Sequence, residues 1–104
     1  MGTDGLFDNL YDPDIEGCLK PNVRAVKEQP EQFELFEPAK AANCMASKAY
    51  NLSKNKTYGS PFAKGAMQCG LRYVGGKEDD ITVIVSQIVR KWIFTYNNNV
   101  LIII

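Results

Sequence analysis

Residues 75–89 read GGKEDDITVIVSQIV, and the second half of that stretch decides the fold. Gly75-Gly76 marks a turn. Ile81 to Val89 is rich in β-branched residues and apolar on both alternating faces, apart from Thr82, Ser86 and Gln87. That pattern predicts a strand inside a sheet covered on both sides. One strand cannot satisfy its own backbone groups. The candidate partner is the tail KWIFTYNNNVLIII, residues 91–104, in which Trp92–Tyr96 and Val100–Ile104 read as two strands around an Asn97-Asn98-Asn99 turn.

Toward the N-terminus the pattern turns helical. Ser60-Pro61 opens a helix, with Ser60 as N-cap, Pro61 at the first helical position and Gly70 as the stop. Phe62, Ala63, Ala66 and Met67 form its apolar face. From Pro38 to about Leu52, Ala42, Met45, Ala46 and Ala49 recur at helical spacing. Met45 and Met67 are predicted to fill the core. Residues 53–59, SKNKTYG, form a polar loop in which Lys54 and Lys56 are solvated. Residues 21–37 carry Pro21 and Pro30 with many charges and read as an irregular connection before Pro38. Asp12-Pro13-Asp14 starts a short helix that Pro21 ends, Asp12 serving as cap. The chain opens MGTDGLFDNLY, where Asp4-Gly5 is a turn with no strand before it, so an element is expected to be missing at the N-terminus.

Composition narrows the function. Twelve Lys and Arg balance twelve Asp and Glu, which gives no basic face for nucleic acid. Histidine is absent, which removes Ser-His-Asp and Cys-His catalysis and nearly all common zinc sites. The three cysteines, Cys18, Cys44 and Cys69, are far apart and show no C-x-x-C spacing, so free thiols in a reducing compartment are expected. The opening residues show no basic stretch followed by an apolar one, so no signal peptide is expected there. The apolar end, Val100–Ile104, is far short of the about 20 residues that span a bilayer, so no membrane partner is expected.

Two acidic clusters remain: Asp4, Asp8 and Asp12, and Glu78, Asp79 and Asp80. Carboxylates at the ends of buried strands are costly unless their charge is compensated. A hard divalent cation does this directly, since Mg²⁺ and Mn²⁺ prefer carboxylate and water oxygens. Acids beside glycine are also ordinary residues of wet turns, and spacing alone leaves both readings open. DPDIEG, residues 12–17, mimics the opening of an EF-hand, but the twelfth loop position is Val23 where a bidentate glutamate is needed.

GTDGLFDNLYD, then SPFAKGAMQCG, then GGKEDDITVIVS, in this order and spacing over residues 2–89, resembles the C-terminal region of metal-dependent protein serine/threonine phosphatases of the 2C (PPM) type. The likeness is strongest to the branch often found in mitochondria or plastids, and it is the basis for expecting an intracellular organelle. The resemblance implies that Asp4 ligates a metal centre from the end of a central strand and that Asp79 binds the same centre from across the fold. Asp8 would help hold a further, weaker metal. Gly5 would let the backbone approach closely. Asp80 stands where many relatives have asparagine and would support the ligands from behind. The cofactor implied is Mg²⁺ or Mn²⁺, as a pair of ions about 4 Å apart that acidify a water and clamp the phosphoryl oxygens.

The family's other ligands, in an Arg-containing motif and an Asp-Gly-His-Gly motif, have no counterpart here, and Arg24, Arg72 and Arg90 have no motif claim to the phosphate. The expected fold is therefore α+β, a partial α-β-β-α sandwich truncated at the N-terminus. Residues 1–89 would form the C-terminal part of a phosphatase domain and residues 90–104 a divergent tail available to a partner. The expected function of the intact domain is hydrolysis of phosphoserine and phosphothreonine in phosphoproteins, with this chain alone inactive. The alternatives are a non-catalytic interaction module that keeps half of the fold and a regulatory metal-binding protein.

Overall fold

The computed structural model describes residues 1–26, 29–87, 93–96 and 100–103. Its order is α1 (Asp4–Phe7), α2 (Asp12–Leu19), a short 3₁₀ turn (Lys20–Asn22), β1 (Val23–Val26), β2 (Gln29–Leu35), α3 (Pro38–Ser53), α4 (Pro61–Gln68), β3 (Ile93–Tyr96) and β4 (Val100–Ile103). Helices and antiparallel strand pairs occupy separate stretches of chain, which is the α+β arrangement expected from the sequence.

The helix signals are local, and the structure follows them. Pro13 lies in the first turn of α2, and Asp14 accepts a hydrogen bond from the Tyr11 amide at 3.0 Å, so Tyr11 rather than Asp12 is the capping position. Ser60 caps α4 by accepting from the Ala63 amide at 3.1 Å. Gly70, with φ of +81°, follows that helix. The buried stripe of α3 is Ala41, Met45, Ala49 and Ser53, spaced by four, so it begins one residue before the predicted Ala42. Met67 is 68% exposed and not core. Its helix is two turns long and buries only Ala63.

Leu6, Leu10, Cys18, Met45 and Ala49 form the buried cluster, and Ile15, Leu19, Leu52, Ile81, Val83 and Val85 pack on it. Helices α1, α2 and α3 thus share one core with the segment after Asp80. That segment differs from its prediction. Gly2 and Val83 form an antiparallel bridge, and the Met1 and Ile84 backbones exchange hydrogen bonds at 2.8 Å. Residues 1–3 are therefore extended and paired, not an unpartnered turn. Ile81, Val83 and Val85 are half-buried while Ile84 is 51% exposed, so the strand is covered on one face and open on the other. Ile88 and Val89 lie outside the described residues.

Residues 21–37 hold a hairpin where an irregular connection was predicted. Strand β1 pairs with β2 antiparallel, Val23 opposite Leu35 and Ala25 opposite Phe33, before the register slips so that Val26 faces Gln29. Pro30 falls in the slip, where its missing N–H removes no ladder bond. The two tail strands form as predicted, β3 and β4 pairing from Ile93 opposite Ile103 to Tyr96 opposite Val100, but they make a sheet of their own; among the described residues the segment after Asp80 pairs with residues 1–3 and not with the tail. Trp92, Asn97–Asn99 and Ile104 lie outside the described residues, as does Arg90.

The cysteine expectation is overturned. Cys18 on α2 and Cys44 on α3 are joined in a disulfide, with their Cα atoms 5.6 Å apart. The two helices lie side by side, which places positions 26 residues apart within bonding reach. Cys69 is free, as expected, and it is exposed.

Candidate functional site

The predicted site residues come from two places. Asp4 opens α1 and Asp8 follows its last turn, the Asp8 amide donating to the Asp4 carbonyl at 2.7 Å. Asp79 and Asp80 lie in the loop between Gly75 and Ile81. Asp4, Asp79 and Asp80 are exposed and Asp8 is half-buried.

The loop is fastened along its length, first to the α3–α4 connection and then to the residues flanking α1. Ser60 donates to the Gly75 carbonyl at 2.6 Å, and the Gly76 amide donates to the Asn55 carbonyl at 2.8 Å. Asn9 takes Lys77 by both backbone groups, accepting from its N–H and donating to its C=O, each at 2.8 Å. Thr3 donates its hydroxyl to the Asp80 carbonyl at 3.1 Å and accepts from the Thr82 amide at 3.0 Å. The close approach expected at Gly5 is real: a Cβ there would run into the Asp80 carbonyl and the Ile81 side chain. Gly75, with φ of +105°, lies against the Lys56 backbone, so it needs glycine on both counts.

These contacts bring Asp4 and Asp79 within electrostatic range of Asp8. Burial, then the Asp4 and Asp79 carboxylates, push Asp8 above the usual carboxylate range, with Lys77 opposing them. Lys77 itself lies over the Phe62 ring, 5.4 Å from its centre. Among the described residues no three acidic or sulfur side chains converge closely enough to enclose a cation. The donor set still fits part of a hard-cation site in its chemistry: carboxylate oxygens, with the Asp4 and Asp79 charges both felt at Asp8 and one lysine opposing them. Asp12 stands apart at the start of α2, and Glu78 turns to Lys54 at 3.3 Å. Arg24 pairs with Glu34 at 2.8 Å across the exposed side of the β1–β2 hairpin.

The repulsion on Asp8 has a pH signature. In the folded chain Asp8 keeps its proton where the unfolded chain has lost it, so the folded state binds more protons and stability falls as pH rises. The fall begins near the ordinary aspartate value of about 4 and ends above the raised one. Asp8→Asn is expected to raise the melting temperature by about 2 °C at pH 7, the scale of one largely solvated charge contact, and to leave it unchanged at pH 3. Thermal melts at the two pH values check this.

Sequence reading missed Asn9, Thr3 and Tyr58, which hold the site from behind. Tyr58 donates its hydroxyl to the Asn9 carbonyl at 3.0 Å. The available signal was an asparagine between Leu6 and Leu10, because an amide placed among core residues must find partners. An open groove of about 570 Å³ runs beside the acids, between Ala46, Ser47, Tyr50 and Asn51 of α3 and the Asp79–Ile81 stretch.

No family model matches the chain. It is 40% identical over 87 residues to "Probable protein phosphatase 2C 80" of Arabidopsis thaliana, covering 84% of this chain and 19% of that protein. It is 40% identical over 84 residues to "Protein phosphatase PTC7 homolog" of Xenopus laevis, covering 81% of this chain and 26% of that protein. Among solved structures it matches the X-ray structure of the photosystem II phosphatase PBCP with a TM-score of 0.62 and 30% identity, over 85% of this chain and 34% of that one. The chain therefore spans about a fifth to a quarter of these two curated relatives. The sequence likeness and the shared fold run over the same share of the chain, more than four-fifths of it, so it is a partial-length member of the protein phosphatase 2C family.

Proposed function

We propose that this chain supplies one side of a metal-dependent phosphoprotein phosphatase centre, with Asp4, Asp79 and Asp8 as its oxygen ligands for Mg²⁺ or Mn²⁺. The observation that supports this reading is the fastening of the loop that carries Asp79 to the residues flanking Asp4 and Asp8, through Asn9 and Thr3. Such a cation, when bound, supplies an acidified water and neutralises phosphoryl charge in the hydrolysis of a phosphoserine or phosphothreonine ester. Asp4 and Asp79, being exposed, are open to it from the solvent side. Lys77 offsets part of the acidic field as an anionic substrate approaches. The groove along α3 leaves room for the residues flanking the phosphorylated one, with Tyr50 on its wall.

Three carboxylates that do not close around an ion cannot organise the whole reaction, so the chain alone is expected to show no turnover. A phosphopeptide assay with excess Mn²⁺ tests this, and metal-dependent hydrolysis by the pure chain would refute it. Calorimetric Mn²⁺ titration tests the ligands: binding at millimolar metal is expected for the native chain and is lost in Asp4→Asn and Asp79→Asn.

One observation favours the second reading, a non-catalytic interaction module. An apolar groove of about 280 Å³ lies among Leu6, Phe7, Leu19, Met45, Val83 and Val85. The absence of any metal binding at millimolar concentration would favour that reading over the first.

A further inference from the structure

Thr3 and Asn9 occupy matching places around the candidate site. Thr3 immediately precedes Asp4, and Asn9 immediately follows Asp8. Each reaches the loop that bears Asp79, and they reach it on either side of that residue, Asn9 at Lys77 and Thr3 at Asp80 and Thr82. Between the two clamps only Glu78 and Asp79 are left.

Asn9 has no exposed surface, and both of its side-chain N–H groups and its side-chain oxygen are bonded. Its nitrogen donates to the Gly5 carbonyl and to the Lys77 carbonyl, and its oxygen accepts from the Lys77 amide, all three at 2.8 Å. The bond to Gly5 closes the end of α1, where a carbonyl would otherwise lack a helical partner. The pair of bonds to Lys77 is what a neighbouring strand would make. One side chain therefore ties the helix turn carrying Asp4 and Asp8 to the loop carrying Asp79, at short distances and without water.

We propose that Asn9, assisted by Thr3, is a positioning residue that sets the separation between Asp79 and the Asp4–Asp8 pair, and so sets divalent-cation affinity. This rests on the metal reading above. The clamp touches no cation; it acts through the backbone of the ligands, as supporting residues of metal sites do.

The test measures Mn²⁺ affinity of the full chain from the electron-paramagnetic signal of free Mn²⁺, on samples shown to be folded by circular dichroism. Asn9→Leu keeps size and neutrality but removes all three bonds, and is expected to weaken Mn²⁺ binding roughly tenfold, the scale for losing such a support. Thr3→Val, on an exposed residue, keeps the backbone pairing and removes only the hydroxyl bonds. It is expected to weaken binding roughly threefold, a fraction of the full effect, and it carries the test if Asn9→Leu does not fold. Asn22→Leu is the control: Asn22 is also buried, but its side chain bonds to the Cys18 carbonyl of α2, away from the acidic loop, so its loss is expected to lower the melting temperature and leave Mn²⁺ affinity unchanged. Native affinity in the folded Thr3→Val and Asn9→Leu chains would overturn the clamp while leaving the metal reading intact. No Mn²⁺ binding by the native chain would overturn the metal reading, and the clamp's role with it.

Discussion

Gly5→Ala is expected to destabilise the chain by about 3 kcal/mol, against a helix propensity that favours alanine by up to about 1 kcal/mol. The larger effect wins because of what the new methyl meets. A Cβ on Gly5 would run into the Asp80 carbonyl, its carbon and the Ile81 side chain. Backbone held at Lys77 by Asn9 and at Asp80 by Thr3 cannot step aside as the tip of a flexible side chain would. Either α1 lifts off the loop, losing Leu6 from the core, or the loop moves and its clamps break. At roughly 4–8 °C per kcal/mol for a chain of this size, the melting temperature should fall by more than about 10 °C. Gly17→Ala makes the contrast. Gly17 is exposed in α2 with open space around its Cβ position, so the same substitution should stabilise by up to about 1 kcal/mol. Melts of the two variants check both signs. A Gly5→Ala chain as stable as the native one would mean that helix and loop are not in contact.

What the sequence revealed and what it hid divide by range. The caps of α4 and the stripe of α3 depend on residues three or four apart, so Ser60, Pro61 and the Met45–Ala49 spacing were readable from their neighbours alone. Asp4, Asp8 and Asp79 were singled out by family resemblance. What places the first two near the third is Asn9 bonding across 68 residues, which has no local signature. The β1–β2 hairpin was hidden by Pro30, a residue that argues against a strand unless the register slips where it sits. The strand after Asp80 was predicted to be covered on both faces because its composition is apolar on both. Nothing among the described residues covers the Ile84 side, and sequence composition cannot tell an occupied apolar face from an open one.

Breaking the Cys18–Cys44 bond is expected to destabilise the chain by about 3–4 kcal/mol, the chain-entropy value for a loop of this length, which a separation of 26 residues sets between the short-loop and long-loop limits. The sulfurs are not expected to add a polar penalty. Cys18 is 2% exposed among Leu10, Met45 and Ala49, and a reduced thiol behaves there as a small apolar group. The loss should therefore come from freeing α2 relative to α3 in the unfolded chain, with the folded core little changed. Three results follow from that assignment. Melting after unfolding and refolding in a dithiol reductant should occur at least about 10 °C lower than in the oxidised chain. The double variant Cys18→Ala, Cys44→Ala should melt near the reduced chain and ignore reductant. Cys69→Ser should match the native chain in both states, because Cys69 is exposed and unbonded. Reductant added to the folded chain is expected to attack from the Cys44 side, because Cys44 is exposed while Cys18 is buried. Identical melts with and without reductant would show that the two helices are held together by packing alone, and the expectation of free thiols would be restored.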